Sequence, residues 1–162
     1  MDPGIFAGIW TTCPNCHQSY DNDLELATSA GFLNYIEEMD MPDQQLKAFL
    51  RVEAHMTLLS GLRSACHLDE SYKEEGRQLA NKILRLLPKL EKSTVVPQQR
   101  KLELDADLHR NGISFFAEKN GDYEAALAAE KRARELFEIL ASGAIPLCYD
   151  QDYEGELESI EN

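Results

Sequence analysis

Apolar residues recur with helical spacing along most of the stretch from Asp21 to Ser142, and the alternation that strands require is nearly absent. Pro42, Pro97 and the segment Asn120-Gly121-Asp122 favour turns and divide this stretch into about five helices. Helices are predicted over 21–39, from Pro42 to Cys66, from Asp69 to about Pro88, over 97–119 and over 123–142. Because short turns between long helices make antiparallel neighbours, we predict an all-α fold of antiparallel helical hairpins, stacked as an array or bundled.

Two of these helices carry specific packing expectations. Gly112 lies in the middle of the fourth helix, where glycine costs about 1 kcal/mol relative to alanine unless a neighbouring helix packs closely against it. The fifth helix is predicted to bury one side. That side carries Tyr123, Ala126, Leu127, Glu130, Ala133, Phe137 and Leu140.

Length and charge narrow the class of protein. The 162 residues suit one domain, and 29 acidic against 16 basic residues give a net charge of -13. A negative field of this kind repels phosphate backbones and anionic lipid, so nucleic-acid and membrane-surface binders are disfavoured and basic partners are favoured. No run approaches the roughly 18 apolar residues of a membrane span.

The N-terminal region and the cysteines predict a cytoplasmic location. The apolar run from Ile5 to Trp10 is short for a signal peptide, and the first basic residue is Lys47, so neither a basic n-region nor an Arg-rich transit peptide is expected. Four cysteines suit a reducing compartment better than a disulfide scaffold. We divide the chain into an N-terminal segment 1–20, a helical domain 21–146 and an acidic tail 147–162. The last thirteen residues, Asp150 to Asn162, are expected to be solvated and mobile, and the alternative is that Leu157 and Ile160 dock on the domain.

The segment Cys13-Pro14-Asn15-Cys16-His17 is the densest chemical signal. Two cysteines separated by two residues can both bind one tetrahedral zinc ion, and a structural zinc needs four ligands. No second Cys-x-x-Cys pair exists, so the other two ligands would come from His17, His55, Cys66, His67, His109 or Cys148, and we favour Cys66 and His67. The alternative is a metal-free turn, and the cofactor prediction is therefore none or one structural zinc.

Two further interpretations of the segment are disfavoured by the rest of the sequence. The letters match the attachment motif of c-type haem, but that chemistry requires export, and no methionine is placed as the second axial ligand. A thiol-disulfide active site of this spacing belongs beside a βαβ pattern, whereas this chain is helical.

The stretch from Gly121 to Leu127, followed by Lys131, Ala133 and Leu136, resembles the second half of a tetratricopeptide repeat. Two helix pairs, Gln44–Lys92 and Pro97–Ser142, align with about fifty residues per unit. The resemblance implies a stack whose first helices line a concave surface that binds proteins or peptides. The residues implied on that surface in the second pair are Asn111, Phe115 and Lys119, which share one stripe of a helix; the alternative is that Phe115 belongs to the core and the polar pair is solvated.

The stretch from Trp10 to Tyr20, followed by the helix former Leu24-Glu25-Leu26-Ala27, resembles the closing half of a RING- or MYND-like zinc finger joined to tetratricopeptide or kinesin-light-chain-like repeats, an arrangement of algae and other protists. That resemblance implies zinc binding and a role in ubiquitin transfer. The residues before Cys13 include neither Cys nor His, so a metal-free remnant of a finger is the other interpretation.

Catalytic motifs are missing from the sequence. It contains no phosphate-binding glycine loop, no nucleophile elbow and no His-Glu-x-x-His helix. We therefore expect a non-catalytic adaptor or scaffold that binds a partner segment on the concave helical face. The alternatives are a zinc-finger protein of ubiquitin transfer and, against its context, a c-type haem electron carrier.

Overall fold

The computed structural model describes the backbone of residues 19–161 and the side chains of residues 28–160. Within these limits the chain is helical without any strand, which confirms the predicted all-α fold. The helices are α1 Ser19–Glu38, α2 Gln44–Leu68, α3 Lys73–Leu86, α4 Gln98–Asp107, α5 Phe115–Lys119, α6 Tyr123–Ala141 and α7 Tyr153–Glu161. A π-helical segment, Leu108–Ser114, joins α4 to α5, and short 3-10 turns at Glu70–Tyr72 and Leu87–Leu90 flank α3.

Capping residues set where two of the long helices begin. The Asp43 carboxylate accepts a hydrogen bond from the Leu46 amide at 3.0 Å and starts α2. The Asp122 carboxylate accepts from the Ala125 amide at 3.1 Å and starts α6 directly after Gly121, whose φ of 78° favours glycine. The predicted stop and restart of the helix at this turn is therefore observed.

The main core lies between α2, α3 and the helix formed by α4, the π-helical segment and α5. Its buried residues are Val52, Leu59, Leu62, Cys66, Ala80, Ile83, Leu90, Leu104, Leu108 and Phe116. Two glycines allow these helices to approach closely. A Cβ atom at Gly76 would lie 2.0 Å from the Phe116 ring, and one at Gly112 would lie 2.7 Å from a methyl carbon of Leu59. The close packing expected at Gly112 is thus present.

Three side-chain contacts show how α2 lies beside the helix that begins at Gln98. Gln45 bonds Thr94, Glu53 bonds Arg100 and Arg63 bonds Asn111, at sequence separations of 49, 47 and 48. Since the separation is nearly constant along both segments, α2 and the α4–α5 helix run parallel and in register. The antiparallel helix α3 connects them and packs against both.

The C-terminal segment corrects the expectation of a solvated, mobile tail. Residues Tyr153–Glu161 form helix α7, and the Tyr153 side chain is only 4% exposed. Tyr153 packs in a second core with Ala106, Leu136, Phe137 and Leu140, and Leu157 and Ile160 pack against that core. The tail is acidic by sequence, but its apolar residues fall on one side of a helix and are covered by α4 and α6.

The side of α6 that is buried also differs from the prediction. Ala126, Ala133, Phe137 and Leu140 are buried as expected, whereas Tyr123 and Leu127 are 70% and 71% exposed. Ala129 and Leu136 are buried instead, and they border the expected stripe on the flank away from Tyr123 and Leu127.

None of the described helices combines the length and the apolar composition that a bilayer crossing requires.

Candidate functional site

Phe115 is the centre of a cluster of aromatic and cationic side chains between α2 and α5. Its half-buried ring meets His67 edge to face at 5.1 Å between ring centroids, and Phe116 at 5.0 Å. The guanidinium of Arg63 lies over the ring at 5.2 Å from the centroid, and the ammonium of Lys119 at 5.7 Å. Both distances are within the range of cation–π attraction.

Asn111 joins this cluster through Arg63. The Arg63 Nη1 atom donates a hydrogen bond of 2.8 Å to the Asn111 Oδ1 atom, and the Asn111 amide donates in turn to Asp107. Asn111, Phe115 and Lys119, which the resemblance placed on one surface, therefore lie together, and α2 contributes Arg63 and His67 beside them. We call Arg63, His67, Asn111, Phe115 and Lys119 the Phe115 face.

Helix geometry explains why these five side chains meet. Arg63 and His67 are four residues apart on α2, and Phe115 and Lys119 are four apart on α5, so each pair lies on one side of its helix. The parallel register of the two helices sets Arg63 opposite Asn111 and His67 opposite Phe115. Sequence reasoning missed Arg63 because its place beside Asn111 depends on the register of the two helices, and no local sequence pattern shows that register.

Arg63 is unusual among the arginines in its lack of an acidic partner. Arg51, Arg77, Arg100, Arg110, Arg132 and Arg134 each pair with a carboxylate. Among the described residues, Arg63 and the exposed Arg85 have no carboxylate oxygen within 4.0 Å of a side-chain nitrogen. The Nε atom of Arg63 is also buried without a hydrogen-bond acceptor among the described residues, which therefore leave a donor of this guanidinium unused.

Two small cavities adjoin the Phe115 face, and Asn111 lines both. One, of about 80 Å³, lies between α2 and the π-helical segment, with Met56, Ser60 and Arg63 in its wall. The other, of about 170 Å³, lies between α4 and α7, with Arg100, Tyr153 and Glu156 in its wall. Through Asn111, the Phe115 face therefore borders two cavities, one beside α2 and one beside α7.

Of the four proposed metal ligands, Cys66 and His67 lie in the described part of the chain. Cys66 is 1% exposed in the main core, where burial raises the pKa of its thiol and so disfavours the thiolate that zinc needs. The neighbouring His67 points to the surface and packs on Phe115. No group of three or more His, Cys, Asp and Glu side chains in this part of the chain could hold a metal ion. Cys13 and Cys16 lie outside the described residues, so the zinc hypothesis stays a prediction.

A groove of about 370 Å³ lies elsewhere, between the end of α3 and the start of α4, and is lined by Leu84, Leu87 and Leu102. Its polar groups already serve the fold. The Lys101 ammonium donates to the carbonyls of Glu91 and Ser93 at 3.0 Å, and Asp105 holds His109. The groove therefore presents apolar surface without a convergent set of polar groups.

The buried and half-buried histidines outside the Phe115 face have opposite electrostatic environments. His55, 1% exposed, bonds the Arg51 carbonyl through Nδ1 at 2.7 Å, while its Nε2 atom has no partner among the described residues. Burial lowers the pKa of His55. Burial also opposes charge on His109, but its contacts with Asp105 outweigh that effect and raise the pKa of His109. Both rings bond the carbonyl four residues earlier in the chain, a structural use of histidine.

No protein-family model, curated protein or solved structure matches this chain. The family resemblances of the sequence are therefore untested, and the proposal for its function depends on the geometry of the described residues.

Proposed function

We propose that the protein is a non-catalytic interaction module that docks a segment of a partner protein on the Phe115 face, within a tetratricopeptide-like stack of helix pairs. The observation that carries the proposal is the position of Phe115, a half-buried aromatic ring on the protein surface with two cations and an edge-on histidine around it. Aromatic residues and arginine are the side chains most enriched where proteins bind one another.

The parallel register of α2 and the α4–α5 helix supports the repeat arrangement. Contacts at near-constant sequence separations of 47 to 49 agree with the repeat of about fifty residues that the sequence favours. In a stack of helix pairs, equivalent helices of successive pairs lie side by side and together form one continuous binding surface. Arg63 of α2 and Asn111 of the α4–α5 helix meet where such a surface would lie.

Helix α7 supports the same arrangement at the C-terminal end. It packs on α4 through Tyr153 and pairs with the π-helical segment through Arg110 and Glu156, so it runs parallel to the α4–α5 helix. Tyr153, Leu157 and Ile160 of α7 pack inward while Glu154 and Glu158 are exposed, so α7 covers apolar surface of its neighbours as each helix of a stack does.

Selection from a library of displayed random peptides tests the proposal. The full chain is used as bait, and the affinity of each selected peptide is then measured by fluorescence anisotropy. We expect binders whose affinity falls about tenfold or more in the Phe115→Leu variant, because a central aromatic anchor contributes on the order of 2 kcal/mol. Tyr35→Leu is the matched control, since Tyr35 is 62% exposed on α1, away from the face. Failure to select a peptide that depends on Phe115 would contradict the proposal.

A further inference from the structure

The charge at the Phe115 face is opposite to the charge of the whole chain. The chain carries a net charge of -13, yet the two charged groups over the Phe115 ring are the cations of Arg63 and Lys119. Among the described residues, no carboxylate oxygen lies within 4.0 Å of a nitrogen of Arg63 or Lys119. Asp107 accepts a hydrogen bond from Asn111, and Asp69 and Glu70 lie near the Cys66 end of the cluster, where they act on the Cys66 thiol together with Lys119.

Isolated cations are costly to hold together, because like charges repel and each loses part of its hydration. Six of the seven arginines other than Arg63 meet acids, whereas no described lysine, Lys119 included, has a carboxylate oxygen within 4.0 Å. Arg100 lies between Glu53 and Glu103, and Arg110, on the same helix as Asn111, meets Glu156 of the acidic C-terminal segment. The acidic C-terminal segment therefore pairs with Arg110, next to the Phe115 face, and within the described part of the chain no carboxylate pairs with Arg63 or Lys119.

We propose that the segment docked on the Phe115 face is an acidic peptide, with carboxylates at Arg63 and Lys119 and an apolar side chain against Phe115. This inference rests on the proposed docking function and names the chemistry of its partner. A carboxylate would accept hydrogen bonds from the guanidinium donors that Asn111 leaves unused, and charge-assisted bonds of this kind are about twice as strong as neutral ones.

The net negative charge of the chain opposes the approach of an acidic peptide, whereas the cations at the Phe115 face attract it once it is in contact. At a distance it repels an acidic peptide and slows association, whereas at contact the local cations dominate, because screening removes interactions beyond about 8 Å at physiological salt. The balance of overall charge favours basic partners, and the local charge at this face selects an acidic one.

The test uses three labelled peptides of equal length, each with a central leucine flanked by glutamates, by glutamines or by lysines. Affinities for the full chain are measured by anisotropy, in the wild type and in Arg63→Gln, Lys119→Gln and Arg85→Gln. Arg85 is the matched control, because it is an exposed arginine on α3, also without a described acidic partner. Circular dichroism verifies that each variant keeps its helix content.

The glutamate peptide should bind the wild type at least about tenfold more tightly than the glutamine peptide. Arg63→Gln and Lys119→Gln should each remove most of that difference, and Arg85→Gln should leave it unchanged. Equal affinity for the glutamate and glutamine peptides, tighter binding of the lysine peptide, or binding of none of the three would overturn the inference. The docking function itself is decided separately, by whether the random library yields peptides that depend on Phe115.

Discussion

The side-chain amide of Gln99 donates a hydrogen bond of 2.6 Å to the phenolic oxygen of Tyr153. Gln99 is fully buried, and its amide oxygen accepts from the backbone amides of Cys148 and Tyr149 at 2.7 and 3.3 Å. The same amide nitrogen donates to the Tyr149 carbonyl at 2.9 Å. One glutamine side chain on α4 thus holds the segment that leads into α7.

Replacement of Gln99 by leucine should release this segment. The substitution removes the Gln99 partner of the Cys148 and Tyr149 backbone groups and one of the two partners of the Tyr153 hydroxyl, which also bonds Glu103. Because these groups are partly buried, the loss should lower the free energy of unfolding by about 2 kcal/mol. Urea denaturation should report this loss, and hydrogen exchange should show reduced protection of the α7 amides. Gln98→Leu is the matched control, since Gln98 is exposed. Equal protection of α7 in both variants would show that Gln99 does not anchor it.

A methyl group at Gly76 should be poorly tolerated. Its Cβ atom would overlap the Phe116 ring at 2.0 Å, and the ring is fully buried, so α3 or the ring has to move. We expect Gly76→Ala to lower the free energy of unfolding by about 3 kcal/mol or prevent folding. Gly31→Ala, on exposed α1 surface with no atom within 4 Å, should instead raise it by about 0.5–1 kcal/mol through helix propensity. Similar effects of the two substitutions on thermal unfolding would contradict the close approach at Gly76.

His55 should make the protein less stable in weak acid. Its pKa is lowered in the folded protein from the ordinary 6.5, so its contribution to stability is present above pH 6.5 and is lost as pH falls through the folded pKa. The free energy of unfolding should therefore decrease as the pH falls below about 6.5. His55→Leu should flatten this limb, and an unchanged slope in the variant would assign the pH dependence to other groups.

His109 should have the opposite effect on the alkaline side. Its pKa is raised above 6.5 by Asp105, so its contribution is fully present below pH 6.5 and is lost as pH rises through the folded pKa. A nuclear magnetic resonance titration of the histidine rings should place His109 above 6.5 and His55 below it. His109→Gln should remove the decline in stability above about pH 6.5. The reverse order of the two pKa values would refute this account of both sites.

The sequence predicted the helices well because turn and cap signals are local. Asp122 caps α6 and Gly121 takes a positive φ through their own side-chain properties, which a sequence shows directly. The π-helical segment Leu108–Ser114 carried no such signal, since a wide helical turn depends on the packing of its neighbours. The burial of Tyr153 was missed because six acids dominate the composition of the last thirteen residues, while three apolar residues decide the packing.

The candidate site was predicted in part for a similar reason. Spacing alone placed Asn111, Phe115 and Lys119 on one stripe of a helix. The contribution of Arg63 and His67 depends on which residues of α2 face that stripe, and this register is a tertiary property. The exposure of Tyr123 and Leu127 likewise depends on where α6 meets α4 and the π-helical segment.

The central claim is that partner segments dock on the Phe115 face, and the most direct measurement is a nuclear magnetic resonance titration of the nitrogen-labelled full chain with a peptide from the library selection. Amide signals of residues 63–67 and 111–119 should shift on binding, while those of α1 around Tyr35 should stay in place. Tight binding with shifts confined to other surfaces, such as the groove beside Leu84, would contradict the account.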